Sequence, residues 1–258
     1  MAGRDAGIGG TGLTSCIDFN HMRTLATENA NAYREADPFP HVVFSNAFDA
    51  GKLAKAAAEF PRPESLGDWR QNDATDGHGR IAQAGKLGYS KTEALGDTLR
   101  RLITDLQSAP FLQVLEDLTG IPDLSSDAVM LGGGLHQYYR GAELRIHADF
   151  NKHPTTGLNR RLNLLLFLNS NWQDDWGGAL ELWDRDMRRC VQSIKPEQNT
   201  LVIFSTSRHS YHGLPEPLTC PPDVTRKSIA LYYYSNAPAP DADEVEHSTI
   251  WRTRPGER

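Results

Sequence analysis

Basic charge, cysteine and long apolar runs are all in short supply in this chain of 258 residues. Its 27 lysines and arginines stand against 33 aspartates and glutamates. That leaves no positive surplus to neutralise a phosphate backbone and excludes nucleic acid as a default partner. The three cysteines, Cys16, Cys190 and Cys220, lie far apart without a C-x-x-C pair. Neither a disulfide framework nor a structural zinc site is indicated, and the reduced thiols of a cytoplasmic protein are expected. No apolar run approaches the roughly 18 residues of a membrane span. The opening MAGRDAGIGGTGLTS also lacks the charged-then-apolar pattern of a signal peptide. A soluble, unexported protein without membrane contact is the expectation. GIGGTG within that opening formally fits G-x-G-x-x-G, yet no strand precedes it and no amphipathic helix directly follows, so it reads as part of a flexible tail over residues 1–20.

What is present reads as one catalytic domain of helices followed by strands, since a chain of this length can enclose a single core. Residues 21–127 form the supporting half. PFPHVVFSNAFDAGKLAKAAAEF gives a short strand, then Phe48, Leu53, Ala56, Ala57 and Phe60 at helical spacing. Residues 61–90, rich in Pro, Gly, Asp and Asn without periodicity, are expected to form a long loop and candidate substrate lid. Apolar spacing from Lys91 to Thr119 indicates two helices divided near Pro110. Over 128–236 the texture changes to six strand-like runs: VMLGGGLHQYY, ELRIHADF, RLNLLLFLN, ALELW, TLVIFS and SIALYYY. Grouped strands after grouped helices argue against a doubly wound parallel sheet and for an α+β protein with a mainly β core, a sandwich or jelly roll buttressed by helices. Residues 237–258 read as an extension whose Ile250 and Trp251 dock back.

The chemistry is concentrated in two of these runs. In ELRIHADF, strict alternation places Arg145, His147 and Asp149 on one face and Leu144 and Ile146 on the other. An imidazole and a carboxylate two residues apart can then reach one metal ion, and two imidazoles plus one carboxylate on one octahedral face is a common way to hold iron(II). With nine histidines in the chain, H-x-D alone is weak evidence. It gains weight because the strand TLVIFS runs into TSRHSYHGLPEP, which places His209 and His212 just past the strand's end. The Gly213 and Pro215 turn beside His212 favours it. Further on, Arg226 opens RKSIALYYY with the small Ser228 and Ala230 on its own face. A guanidinium with that much room beside it suits bidentate pairing with a carboxylate.

The ordered set His147-Ala-Asp149, Leu168-Asn169, Gly177-Gly178-Ala-Leu180, Phe204-Ser205, His212 and Arg226 resembles the 2-oxoglutarate- and iron(II)-dependent oxygenases, in their prolyl 4-hydroxylase-like branch. The resemblance implies a double-stranded β-helix over 128–236, with Fe(II) on His147, Asp149 and His212. It further implies 2-oxoglutarate as cosubstrate and O₂ as oxidant, with ascorbate a candidate reductant. Arg226 would anchor the cosubstrate's distal carboxylate and Leu180 would pack on its carbon chain. Where many relatives place a tyrosine near that carboxylate this chain has Phe167, and Asn163 on the same face is the candidate substitute. Of the adjacent Tyr138 and Tyr139, parity with Gln137 selects Tyr139 as the cosubstrate-lining tyrosine. Relatives that halogenate carry a small residue in place of the acidic ligand, so Asp149 implies hydroxylation. The substrate expected is a small molecule: a free or derivatised amino acid, a sugar or another metabolite. Arg70, Arg80, Lys152 and Arg160 are candidates to meet an anionic one. The alternatives are a prolyl or peptidyl hydroxylase acting on a protein, and a metal-free jelly-roll binding protein. A cupin is disfavoured by the absence of its H-x-H.

Overall fold

The computed structural model describes residues 15–237 and 245–257. Four helices form the support: α1 (Phe19–Glu35), α2 (Ala50–Ala58), α3 (Asp97–Leu106) and α4 (Ala109–Thr119). Each begins or ends where local chemistry dictates. The carboxylates of Asp18 and Asp49 accept the His21 and Lys52 amides at the starts of α1 and α2. Pro110 lies in the first turn of α4, and Gly120 closes that helix at φ 71°.

The strands, in chain order, are β1 (His41–Ser45), β2 (Arg70–Gln71), β3 (Ala74–Thr75), β4 (Ile81–Tyr89), β5 (Ser125–Ser126), β6 (Gly134–Ala148) and β7 (Asn159–Phe167). They continue with β8 (Leu180–Trp183), β9 (Cys190–Ile194), β10 (Thr200–Ser205), β11 (His212–Leu214), β12 (Arg226–Ser235) and β13 (Ile250–Trp251). Their antiparallel order is β1-β10-β7-β12-β6-β11-β8-β9. The long strand β6 belongs to both halves of the roll. Its first part pairs with β12 and β4, and its last residues pair with β11 and β13. The sheet thereby curls into the jelly roll, a double-stranded β-helix, that the strand pattern indicated.

Both faces of the major half are buried, which is why RLNLLLFL reads as a nearly continuous apolar run. Leu162, Leu164 and Leu166 of β7 pack outward with helix residues such as Leu99, Leu102 and Phe111. On the inner face Phe167 packs with Leu180, Leu182, Val202 and Phe204. Asn163 and Leu165 of that face line the cavity described below.

Several expectations change. The segment read as a loop over 61–90 carries β2, β3 and β4, and β4 adds an edge to β6. Its sequence IAQAGKLGY hides this because Gly85, at φ 67°, breaks the alternation where the backbone passes Ala142, and a Cβ there would sit 2.8 Å from that methyl. The runs VMLGGGLHQYY and ELRIHADF converge on one strand, β6. Helix α1 escapes the apolar-period reading because FNHMRTLATENANAYRE buries only Met22, Ala26 and Tyr33. The tail expected over 1–20 is packed from residue 15, where Cys16 and Ile17 are buried and Ser15 hydrogen-bonds to Asp105. GIGGTG lies outside the described residues.

Candidate active site

Strand β6 delivers His147, places Asp149 just beyond its end, and pairs His147 directly with His212 at the start of β11. One ligand atom from each of these three residues lies within 4.8 Å of the other two. Asp149 stands between the rings, its Oδ1 3.6 Å from His147 Nε2 and its Oδ2 3.4 Å from His212 Nε2. Both rings are held in the same manner. His147 Nδ1 donates to the Arg145 carbonyl at 2.9 Å, and His212 Nδ1 donates to the Ser210 carbonyl at 2.8 Å. Each Nε2 lone pair is then left to face the common point, which is how a metal-binding histidine is prepared. Burial and the neighbouring His147 hold His212 down to about 4, so it is neutral at neutral pH and able to ligate.

Asp149 Oδ2 accepts a hydrogen bond from Asn163 Nδ2 at 2.7 Å and lies 3.1 Å from Arg160. Burial alone would raise this carboxyl, but Arg160 and the two imidazoles hold it well below the usual carboxylate range, so it is ionised. Arg160 is itself fixed. It donates twice to Asn163 Oδ1, at 3.0 and 2.7 Å, and its guanidinium lies 3.5 Å from the Tyr232 ring centroid and 4.6 Å from that of Phe150. The sequence offered Asn163 to the cosubstrate. The structure commits its amide to Asp149 and Arg160, both on the cavity wall.

A β-bulge corrects the expected alternation. Between the pairs His147–His212 and Leu144–Leu214, β6 has one residue more than β11, so Leu144 and His147 both line the cavity. Arg145 turns away and joins Asp76, at 2.8 Å, and Glu257, at 3.0 Å. Gly213 permits this crossing, because a Cβ there would stand 2.7 Å from the Leu144 carbonyl oxygen and 2.8 Å from that of Arg145.

The cavity in front of the triad has a volume of about 310 Å³ and reaches Arg226. Arg226 is 2% exposed, and among the described residues Nε is the only nitrogen of its guanidinium with a hydrogen-bond partner: it donates to the Gly178 carbonyl at 2.6 Å. Its guanidinium carbon sits 4.8 Å from the Phe167 ring centroid and 5.4 Å from that of Tyr138. Burial lowers it to about 10, so it remains a cation at neutral pH. On the same face the Ser228 hydroxyl is buried without a partner among the described residues, and Leu180 lines the wall. A fixed guanidinium with two amino groups uncommitted, beside an unsatisfied hydroxyl, fits a bound carboxylate.

Tyr138, and not Tyr139, lines this cavity. Tyr138 pairs across the sheet with Arg226 on β12 and with Lys86 on β4, which puts all three on one face. Gln137 faces the other way, where its amide oxygen accepts from Thr225, and Tyr139 shares that parity. His209 lies outside the cluster, stacked edge-on against Tyr211. Of the cations offered for an anionic substrate, Arg160 reaches the cavity; Arg70 bonds to Ser90, Arg80 to Asp76, and Lys152 does not line it.

Lys86 and Trp251 are among the lining residues that were not singled out for the site from sequence. Lys86 projects from β4, the element hidden in the supposed loop. Trp251 comes from the docked extension, where β13 pairs with Ala148 and His147 and the indole lies 5.1 Å from the His147 ring centroid. The only advance signal for Trp251 was an apolar pair in an otherwise polar tail.

Residues 133–234 match the family model described as the 2OG-Fe(II) oxygenase superfamily. A stretch of 79 residues is 35% identical to prolyl 3-hydroxylase OGFOD1 of Mus musculus; it covers 29% of this chain but only 14% of that protein's length. Among solved structures, a Trichoplax adhaerens prolyl hydroxylase in complex with a hypoxia-inducible-factor peptide superposes with TM-score 0.59 at 16% identity, over 84% of this chain and 90% of that one. A Pseudomonas putida prolyl-4-hydroxylase does so with TM-score 0.53 at 17% identity, over 83% and 97%. At such identities these two matches speak for the fold, while the ligand set comes from this chain's own residues. Residues 133–234 are thus similar to the 2OG-Fe(II) oxygenase superfamily, and the fold that carries the three metal donors is that of the prolyl hydroxylases.

Proposed function

We propose that this oxygenase hydroxylates an unactivated C–H bond of a small molecule, a free or derivatised amino acid, a sugar or another metabolite. Each turnover would convert one 2-oxoglutarate to succinate and CO₂. The observation that carries the proposal is that one cavity is lined both by the three metal donors and by the buried, half-committed Arg226.

When bound, iron and 2-oxoglutarate supply the oxidative decarboxylation that activates O₂ and places one of its atoms in the substrate. The chain's own residues supply position and exclusion of water. His147, Asp149 and His212 would hold the metal from one side and leave the other open to cosubstrate and O₂. Arg226 would receive the distal carboxylate, with the Ser228 hydroxyl as a second donor and Leu180 against the carbon chain. Arg160 helps keep Asp149 ionised, and the hydrogen bond from Asn163 aims it. Trp251 and Phe204 cover the imidazoles, with ring centroids 5.1 Å from His147 and 4.7 Å from His212. Asp149 occupies the position that a halide would need, which favours hydroxylation over halogenation.

A cavity of about 310 Å³ stands at the lower end of the range typical of small-molecule sites and must admit cosubstrate as well as substrate. That supports a small substrate. A second reading, hydroxylation of a prolyl residue in a peptide, draws support from the relatives, since one is named a prolyl 3-hydroxylase and another is described with a bound peptide. Substrate-stimulated succinate formation across amino acids, sugars and prolyl peptides separates the two, with mass spectrometry under ¹⁸O₂ to identify the product. Stimulation by peptides alone selects the second reading. A product lighter by two hydrogens without added oxygen rules out hydroxylation, and the absence of both metal uptake and 2-oxoglutarate turnover leaves a binding protein.

A further inference from the structure

Lys86 enters the cavity from β4, 9% exposed, and has neither a hydrogen bond nor an ion pair among the described residues. Its Nζ lies 5.9 Å from the Tyr138 ring centroid. The registers β4–β6 and β6–β12 set Lys86, Tyr138 and Arg226 in one row, so that two cations flank one aromatic side chain.

The charge of the cavity wall does not balance. Its lining holds three cations, Lys86, Arg160 and Arg226, against the single carboxylate of Asp149, a surplus of two positive charges. Loading the site leaves that surplus unchanged, because the charge of iron(II) and the charge of 2-oxoglutarate cancel. Two of the cations already have roles. Arg160 is bound to Asn163 and Asp149 and stacked between two rings, and Arg226 faces the cosubstrate in the function proposed above. Lys86 is left: the carboxylate of Asp149 acts on it without forming an ion pair, and a buried ammonium so placed is retained at a cost in stability. That cost is visible in its basicity, which burial lowers from 10.5 to about 8.

We propose that Lys86 is the anchor for an anionic group of the primary substrate, and that the substrate is therefore a small carboxylic acid held between this ammonium and the metal site. The inference rests on the oxygenase reading above and narrows its substrate class. It also accounts for an ammonium pointing into a cavity whose other cations are accounted for.

The test uses the full chain loaded with Zn(II) in place of iron and saturated with 2-oxoglutarate, titrated calorimetrically with matched pairs. These are acetate, N-acetylglycine and N-acetyl-L-proline against their carboxamides. At least one acid should bind about thirtyfold tighter than its amide, the least expected of a desolvated ion pair. The preference should vanish in Lys86→Met and persist in Lys86→Arg, while affinity for 2-oxoglutarate stays near the wild-type value in both. Thermal melting of Lys86→Met confirms that the variant is folded. Equal binding of acids and amides by the wild type, or a preference that survives Lys86→Met, would overturn the proposal. So would a large loss of 2-oxoglutarate affinity in Lys86→Met, which would assign the ammonium to the cosubstrate. Failure of the wild type to bind 2-oxoglutarate at all would sink the oxygenase reading itself, and this inference with it.

Discussion

Replacing Arg226 with alanine removes the most deeply buried of the cations that line the cavity. Arg226 is 2% exposed and still charged, its pKa lowered by burial only to about 10, so a carboxylate paired with it is shielded from water. Loss of one partner of such a pair costs about 2–5 kcal/mol, or roughly 30-fold to several-thousand-fold in affinity. Burial this complete argues for the upper part of that range. Part of the loss is structural, because Arg226 Nε also holds the Gly178 carbonyl at 2.6 Å. Arg226→Lys separates the two contributions: it keeps a charge but forfeits the fork, and is expected to fall between wild type and alanine. The assay is calorimetric binding of 2-oxoglutarate to the Zn(II)-loaded protein, with metal affinity measured in parallel. Weakened 2-oxoglutarate binding with near-normal metal affinity is the expected pattern. An Arg226→Ala variant that binds 2-oxoglutarate within about threefold of wild type would refute the reasoning, since no desolvated ion pair is that weak.

Three further outcomes follow from the geometry. Tyr138→Phe should raise the Michaelis constant for 2-oxoglutarate while Tyr139→Phe leaves it unchanged, because only Tyr138 lines the cavity; steady-state succinate formation decides, and the reverse ranking would contradict the sheet parity. Gly213→Ala drives a methyl to within 2.7 Å of the Leu144 carbonyl oxygen and must push His212 out of register, so anaerobic titration should show iron affinity down by about 10–100-fold, a size typical of disturbed metal-site support. Burial holds Lys86 at about 8 in the folded chain against 10.5 unfolded, so the unfolded state binds the extra proton between those values. The ligand-free protein therefore carries a penalty of about 3 kcal/mol below pH 8 that is relieved as pH rises toward 10.5. Lys86→Met should be the more stable protein in urea at pH 7 and lose its advantage by pH 10.5, and an equal difference at both pH values would be the contrary result.

The legible part of the site is the part governed by simple rules. Two ligands two residues apart on a strand, a histidine past the end of another strand, and an arginine with small same-face neighbours all survive errors of a residue or two in element boundaries. Strict alternation failed wherever the backbone departs from it. The bulge opposite Gly213 exchanges Leu144 for Arg145 on the cavity side. Cross-strand pairing with Arg226, which a single strand's pattern cannot reveal, puts Tyr138 inward. Asn163 reads correctly as a cavity-facing amide, but its partners come from Arg160 on its own strand and Asp149 on another element. Lys86 was invisible because β4 is broken by Gly85 and Gly88 and acquires its order from pairing with β6. The same holds for α1, whose polar sequence is helical because α4 and the sheet cover its few apolar residues.

The central claim, that His147, Asp149 and His212 form one iron site, is tested most directly by anaerobic Fe(II) titration of the wild type and of alanine variants at each position, with His209→Ala as control. The wild type and the control should bind one Fe(II) per chain, and each of the three site variants should lose at least about tenfold in affinity, the scale on which even indirect damage to metal sites is felt. Wild-type affinity after removal of either His147 or His212 would contradict the account.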